Sequence, residues 1–222
     1  MGRAATSIAY RRRPTVALQP RKLPRQQRAV ATVEAILDAC SDHIQRAGYS
    51  GLTTLAVAQR AGVSVGTLYQ YFPNREAVAG ALAVRAMQRL LEAMRGALAE
   101  CLERRLGEQE GLEHLLLSGL AVLVEERAVF ARLAVQAPEL FRLPAVVEGQ
   151  KRLIRLAQEI RATGGDRLDL PMPEADAWII GHMVSASMLR ISLLDDPERR
   201  RALTAEVARL TCRMAVGRPV PS

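Results

Sequence analysis

The punctuation between residues 53 and 75 constrains this chain more than any other feature. Thr53 or Thr54 can open a helix, Gly62-Val63-Ser64 turns the chain sharply, and Pro73-Asn74 breaks whatever follows. Threonine and serine hydroxyls can cap free backbone N–H groups, and glycine tolerates the left-handed backbone of a tight turn. The expectation is one short helix running through Ala58 to Gly62 and a second, capped by Ser64, ending near Phe72. Ala58 is small enough for the two helices to approach closely, and Val63, Leu68 and Phe72 can fasten the second helix to the first and to the helix before them. Two short helices joined by a glycine-containing turn form a helix-turn-helix. Val65, Gly66, Thr67, Tyr69, Gln70 and Tyr71 are then left partly outward. A helix entering the DNA major groove needs short, polar and aromatic groups of this kind near its N-terminus.

Helical periodicity extends on both sides. Val33, Ile36, Leu37, Cys40, Ile44 and Ala47 recur at three- and four-residue steps and are followed by Gly48, so a helix from Gln26 ends there. Asn74 caps a long helix from about Arg75 to Leu106, with Glu76 in its first turn favourable to the helix dipole. Further helical segments are expected near 111–126, 127–137, 145–163, 174–194 and 197–215, separated by glycines and prolines. That makes nine helices, with no strand alternation and no repeat of fixed period. The fold class is all-α: a three-helix helix-turn-helix domain over 25–75, joined by the long helix to a helical domain over 76–217.

Residues 1–24 carry Pro14, Pro20 and Pro24, high charge and no sustained periodicity, and are expected to be a disordered basic arm. The net charge of +8 comes entirely from this end. The first 28 residues hold eight basic groups, from Arg3 to Arg28, and no acid, which leaves 23 basic against 23 acidic residues in the remainder. A one-signed arm beside a DNA-reading domain is well placed to meet phosphates.

Several function classes find no support in the sequence. Cys40, Cys101 and Cys212 are far apart, and His43, His114 and His182 are scattered, so no metal-ligand spacing exists and no metal or cofactor is expected. No nucleophile–base pairing or phosphate loop suggests catalysis. No run reaches the roughly 18 apolar residues of a membrane span, and the N-terminus lacks the apolar core of a secretory signal. The expectation is a cytoplasmic, nucleoid-associated protein without catalytic residues.

Residues 52–82, LTTLAVAQRAGVSVGTLYQYFPNREAVAGAL, preceded by a helix containing ATVEAILDAC, resemble the TetR family of bacterial transcriptional regulators. The likeness rests on Thr54, Ala58, Ala61-Gly62-Val63-Ser64, Gly66-Thr67-Leu68-Tyr69, Tyr71-Phe72 and Asn74 followed by a basic residue, and covers roughly residues 27–85. It implies a repressor that binds double-stranded DNA at a palindromic operator and is released by a small-molecule effector; a ligand-independent or activating regulator of the same fold is the alternative. By resemblance, Thr54 and Ser64 bind phosphate, and Val65, Gly66 and Thr67 meet base edges. Tyr69 and Tyr71 contact phosphate or sugar, Gln70 can pair with adenine, and Arg75, where most members have lysine, supplies a phosphate-binding cation. Arg28 joins this set as the last basic residue of the arm.

The resemblance also implies a homodimer through the last two helices. Residues 178–193 mix Ile, Met and Leu with small Gly181, Ser185, Ala186 and Ser187, and Leu203, Val207, Leu210 and Met214 form a second apolar stripe. The same stripes would also suit an intramolecular core. The remaining helices would enclose an effector pocket. Leu98, Cys101, Leu102, Leu116, Phe130, Leu133, Phe141, Trp178 and Met183 are candidate lining residues, with His114 or His182 as polar anchors. Such an effector would be apolar or amphipathic.

Overall fold

A computed structural model describes residues 27–163 and 174–215, with side chains omitted at 157–163, 174 and 215. The arm over 1–24 and the glycine–proline stretch before residue 174 lie outside the described residues, as does the expected end of the helical domain at 217. Among the described residues there are nine α-helices and no strand: α1 Gln27–Ala47, α2 Thr54–Arg60, α3 Val65–Tyr71, α4 Arg75–Arg104, α5 Glu108–Glu125, α6 Arg127–Gln136, α7 Pro144–Thr163, α8 Glu174–Ser192 and α9 Pro197–Ala215. A 3-10 turn, Pro138–Arg142, lies between α6 and α7 and was not expected from the sequence. No described helix is long and apolar enough to cross a membrane.

The helix ends follow local chemistry. Thr53 caps α2 by accepting from Ala56 N–H, Ser64 caps α3 by accepting from Thr67 N–H, and Asn74 caps α4 by accepting from Ala77 N–H. Gly48 and Gly62 have φ of +79° and +67°, so both turns use glycine for a left-handed residue. The end of α4 departs from expectation. The helix stops at Arg104, two residues short of the expected Leu106, and Arg105, at φ 54°, takes the left-handed position at its end.

Helices α2 and α3 have seven residues each, too short to be stable alone in water. They persist because Val57, Ala58, Leu68 and Phe72 are buried against Ile36, Cys40 and Ile44 of α1 and Val78 and Leu82 of α4. This core does not close at residue 75. Val129 and Leu133 of α6, Leu140 of the 3-10 turn, and Val146 of α7 belong to the same cluster. A second core, built on Leu91, Leu98, Leu115, Leu120, Met188 and Ala208, holds α4, α5, α8 and α9 together. Arg85 of α4 bridges to Glu34 at 2.9 Å and Asp38 at 2.7 Å on α1, and Arg89 pairs with Glu125 and the buried Glu126 at the α5–α6 corner. The long α4 is thereby tied to both parts of the molecule.

Candidate nucleic-acid interface

The outward face of the helix-turn-helix is assembled from α2 and α3. Ser64 Oγ accepts from Thr67 N–H at 3.0 Å and lies 2.8 Å from Thr67 Oγ1, so the cap that starts α3 also orients Thr67. Thr53 is the cap of α2, which leaves the Thr54 hydroxyl to meet Tyr69 Oη at 3.1 Å across the two helices. Tyr69 is 42% exposed despite this tether, and Gln70 is exposed beside it. Val65 and Tyr71 behave differently. Both are partly buried and pack against the core, so each presents only an edge to solvent. Gly66 is exposed, and a Cβ there would meet only Ser64 Oγ at 3.7 Å, so the fold does not require glycine at this position. Arg28 is exposed in the first turn of α1.

Arg75 is engaged differently from the phosphate contact expected of it. Its Nη1 donates to Leu52 O at 3.0 Å and Ser50 O at 3.3 Å, its Nε donates to Glu76 at 2.9 Å, and its guanidinium lies 5.4 Å from the centre of the Tyr49 ring. The fork of an arginine can satisfy two loop carbonyls at once, which a lysine ammonium does less well. Here Arg75 fastens α4 to the α1–α2 loop.

A cavity of about 360 Å³ lies within the helical body, walled by α4, α5, α7, α8, α9 and the α6–Phe141 region. Met87, Leu90, Met94, Leu116, Leu153 and Ile154 make most of its apolar lining, and Glu108, Gln150, Ser185 and Thr211 add polar groups. Of the candidate lining residues, Leu116, Phe130, Phe141 and His182 are on the wall. His182 Nδ1 is 2.7 Å from Trp178 O, and the two rings stack at 4.0 Å between centroids.

The other candidates lie elsewhere. Leu98 and Cys101 are buried in the second core, where Cys101 Sγ donates to Gly111 O at 3.6 Å. Leu133 is buried in the first core, and Leu102, Trp178 and Met183 are 49%, 60% and 50% exposed. His114 pairs with Glu100 at 2.8 Å outside the cavity. A helical stripe gives the face of a residue but not the level along the axis at which neighbouring helices part to leave space. Gly181, expected to admit a second copy, faces inward instead. A Cβ there would clash with Ile154 of α7. Among the described residues, no cluster of His, Cys, Asp and Glu could hold a metal ion.

A capped short helix on a three-helix head is thus joined through one long helix to a cavity-bearing helical body. Residues 36–82 match the family described as bacterial regulatory proteins, tetR family. The match takes in α2 and α3 with the adjoining parts of α1 and α4. The chain is 36% identical over 75 residues to an uncharacterized HTH-type transcriptional regulator of Mycobacterium tuberculosis, over 34% of this chain and 38% of the relative's own length.

Solved structures share the fold over most of the chain. The fatty acid degradation regulator FadR from Bacillus halodurans is 23% identical with a TM-score of 0.62, covering 81% of this chain and 94% of that one. The TetR-family regulator PfmR from Thermus thermophilus is 18% identical with a TM-score of 0.58, over 80% of this chain and 94% of its own. Thermus thermophilus FadR, a TetR-family transcriptional repressor in complex with lauroyl-CoA, is 23% identical with a TM-score of 0.53, over 86% and 99%.

Proposed function

We propose that this chain is a sequence-specific DNA-binding regulator that acts as a homodimer on a palindromic operator and, as a repressor, is released by an apolar or amphipathic effector. The observation that carries the reading is the outward face of α3, where Thr67, Tyr69 and Gln70 are positioned by the Ser64 cap and the Thr54 tether rather than consumed by the core. In that role Thr67 and Gln70 read base edges, Thr54, Ser64 and Tyr69 contact the backbone, and Gly66 lets the helix approach closely. Arg28 carries the charge of the arm onto α1. Two copies of α3 about 34–36 Å apart would meet successive major grooves.

The cavity volume lies within the range of about 300–1,000 Å³ usual for small-molecule sites. Its apolar wall suits a hydrocarbon chain, and a FadR relative of the same fold binds lauroyl-CoA. An effector releases DNA only to the extent that it binds the DNA-incompetent conformer more tightly. Genomic footprinting with the purified full chain tests the central reading: one or a few palindromic sites are expected. The double variant Thr67→Ala, Tyr69→Ala should weaken binding there by about ten-fold or more, the scale of losing one or two specific contacts. Uniform affinity for any duplex, with a steep salt slope, would refute sequence-specific regulation in favour of a nonspecific DNA coat.

A further inference from the structure

The loop between α1 and α2 is held from two sides by side chains far away in sequence. On one side Arg75, at the start of α4, donates to the carbonyls of Ser50 and Leu52. On the other, Gln136 Oε1 accepts from Tyr49 N–H at 2.7 Å and Ser50 N–H at 3.2 Å. Gln136 is the last residue of α6, and the contact spans 87 and 86 residues of sequence. The approach is close: a Cβ on Gly48 would sit 3.2 Å from Arg132 and 3.3 Å from Gln136 Oε1. Less than two turns before Gln136, Phe130 forms part of the cavity wall and lies 6.4 Å from the Phe141 ring, centre to centre. The same short helix therefore bears on the cavity at one end and on the DNA-binding head at the other.

We propose that Gln136 is the positioning residue that makes the orientation of the head depend on the position of α6. One carbonyl oxygen serves two loop amides, so a small displacement of α6 must either carry the loop with it or break both bonds. The loop lies between α1 and α2, and its movement re-aims the helix-turn-helix with little change to the core. Val129 and Leu133 hold α6 to that core through non-directional contacts, whereas the Gln136 bonds are directional and fix register. The regulatory consequence rests on the reading that the cavity takes an effector. The docking role does not.

The test uses the full-length protein with Gln136→Glu, which keeps an acceptor oxygen, and Gln136→Met, which keeps the length and loses the acceptor. Hydrogen exchange without ligand or DNA reads the docking directly. In the Met variant the Tyr49 and Ser50 amides should exchange about ten-fold faster, while the Glu variant stays near wild type. Affinity for a site selected from random duplexes should fall about two- to ten-fold in the Met variant, within the range for residues that touch neither ligand. Unchanged exchange at Tyr49 and Ser50 in the Met variant, or equal loss in the Met and Glu variants, would overturn the proposal.

Lauroyl-CoA is the effector probe, with its binding followed by fluorescence of Trp178, the one tryptophan of the chain. It should weaken DNA binding in wild type and by less than two-fold in the Met variant, and full coupling in that variant would also overturn the proposal. A wild-type protein that does not bind lauroyl-CoA counts against an acyl effector. The proposal is then decided by the exchange and affinity of the ligand-free variants.

Discussion

At Arg75 the residue type mattered more than its charge. A cation was legible in the sequence at the start of α4, but its partners were not, because Ser50 and Leu52 offer only backbone carbonyls and these leave no mark on side-chain pattern. Arg75→Lys keeps the charge and loses the fork. It should cost about 1 kcal/mol of stability, the net value of a hydrogen bond in a partly exposed site, as measured by urea denaturation. A loss of DNA affinity with no change in stability would instead restore Arg75 to a phosphate. Cys40 gives a second residue-scale test. Burial raises its thiol from 9.0 to about 12, and burial, followed by the nearby Glu76, raises the Tyr49 hydroxyl from 10.0 to about 12. Raised folded values mean the native state holds these protons more tightly than the unfolded chain does. Stability from them is complete below pH 9 and is lost as pH rises from there towards 12. Denaturation midpoints should fall across that window, and Cys40→Ala should make the fall shallower.

Helices were the most legible level. Every expected helix has an observed counterpart, and the turn at Gly62, the caps at Ser64 and Asn74 and the stop at Gly48 are where local chemistry put them. Periodicity and capping are short-range signals, so they survive in a single sequence. The 3-10 turn at Pro138–Arg142 and the left-handed Arg105 were not legible, because both depend on how α6 and α4 meet the rest of the body. The cavity failed for the same reason. Leu116 and Leu98 read alike as helix-face leucines, yet only Leu116 borders open space.

Within the recognition element, two glycines separate folding from binding. Gly62 needs its positive φ, so Gly62→Ala should destabilise the protein by about 1–2 kcal/mol, by thermal or chemical denaturation, although no atom lies in the way of the new methyl. Gly66 sits in ordinary helical backbone with room for a methyl. Gly66→Ala should fold at least as well as wild type yet bind its operator less tightly if α3 approaches the bases there. Undiminished DNA affinity in a stable Gly66→Ala protein would remove Gly66 from the interface.

At the scale of the molecule, large apolar side chains are left uncovered on the last two helices. Trp178, Ile179 and Met183 on α8, Leu193 just past its end, and Leu203, Leu210 and Met214 on α9, are all between 37% and 60% exposed. Scattered exposed leucines are ordinary, but six large apolar groups on two helices packed against each other, with Leu193 beside them, are more than a monomer usually leaves uncovered. The sequence suggested this face through its stripes without distinguishing core from interface. In the structure Met188 and Ile191 turn inward, and Ile179 and Met183 stay out. A two-fold pairing of α8 and α9 with their copies would cover the patch and set the spacing of two recognition helices, so dimerisation and operator binding should fail together. Leu210→Glu combined with Met183→Glu places four charges in such an interface per dimer while touching no buried position. Sedimentation should shift from dimer to monomer, helix content by circular dichroism should hold, and affinity for a palindrome should drop to that for a half-site. A double variant that remains dimeric would place the interface on another face, and one that becomes monomeric with full palindrome affinity would break the link between pairing and recognition.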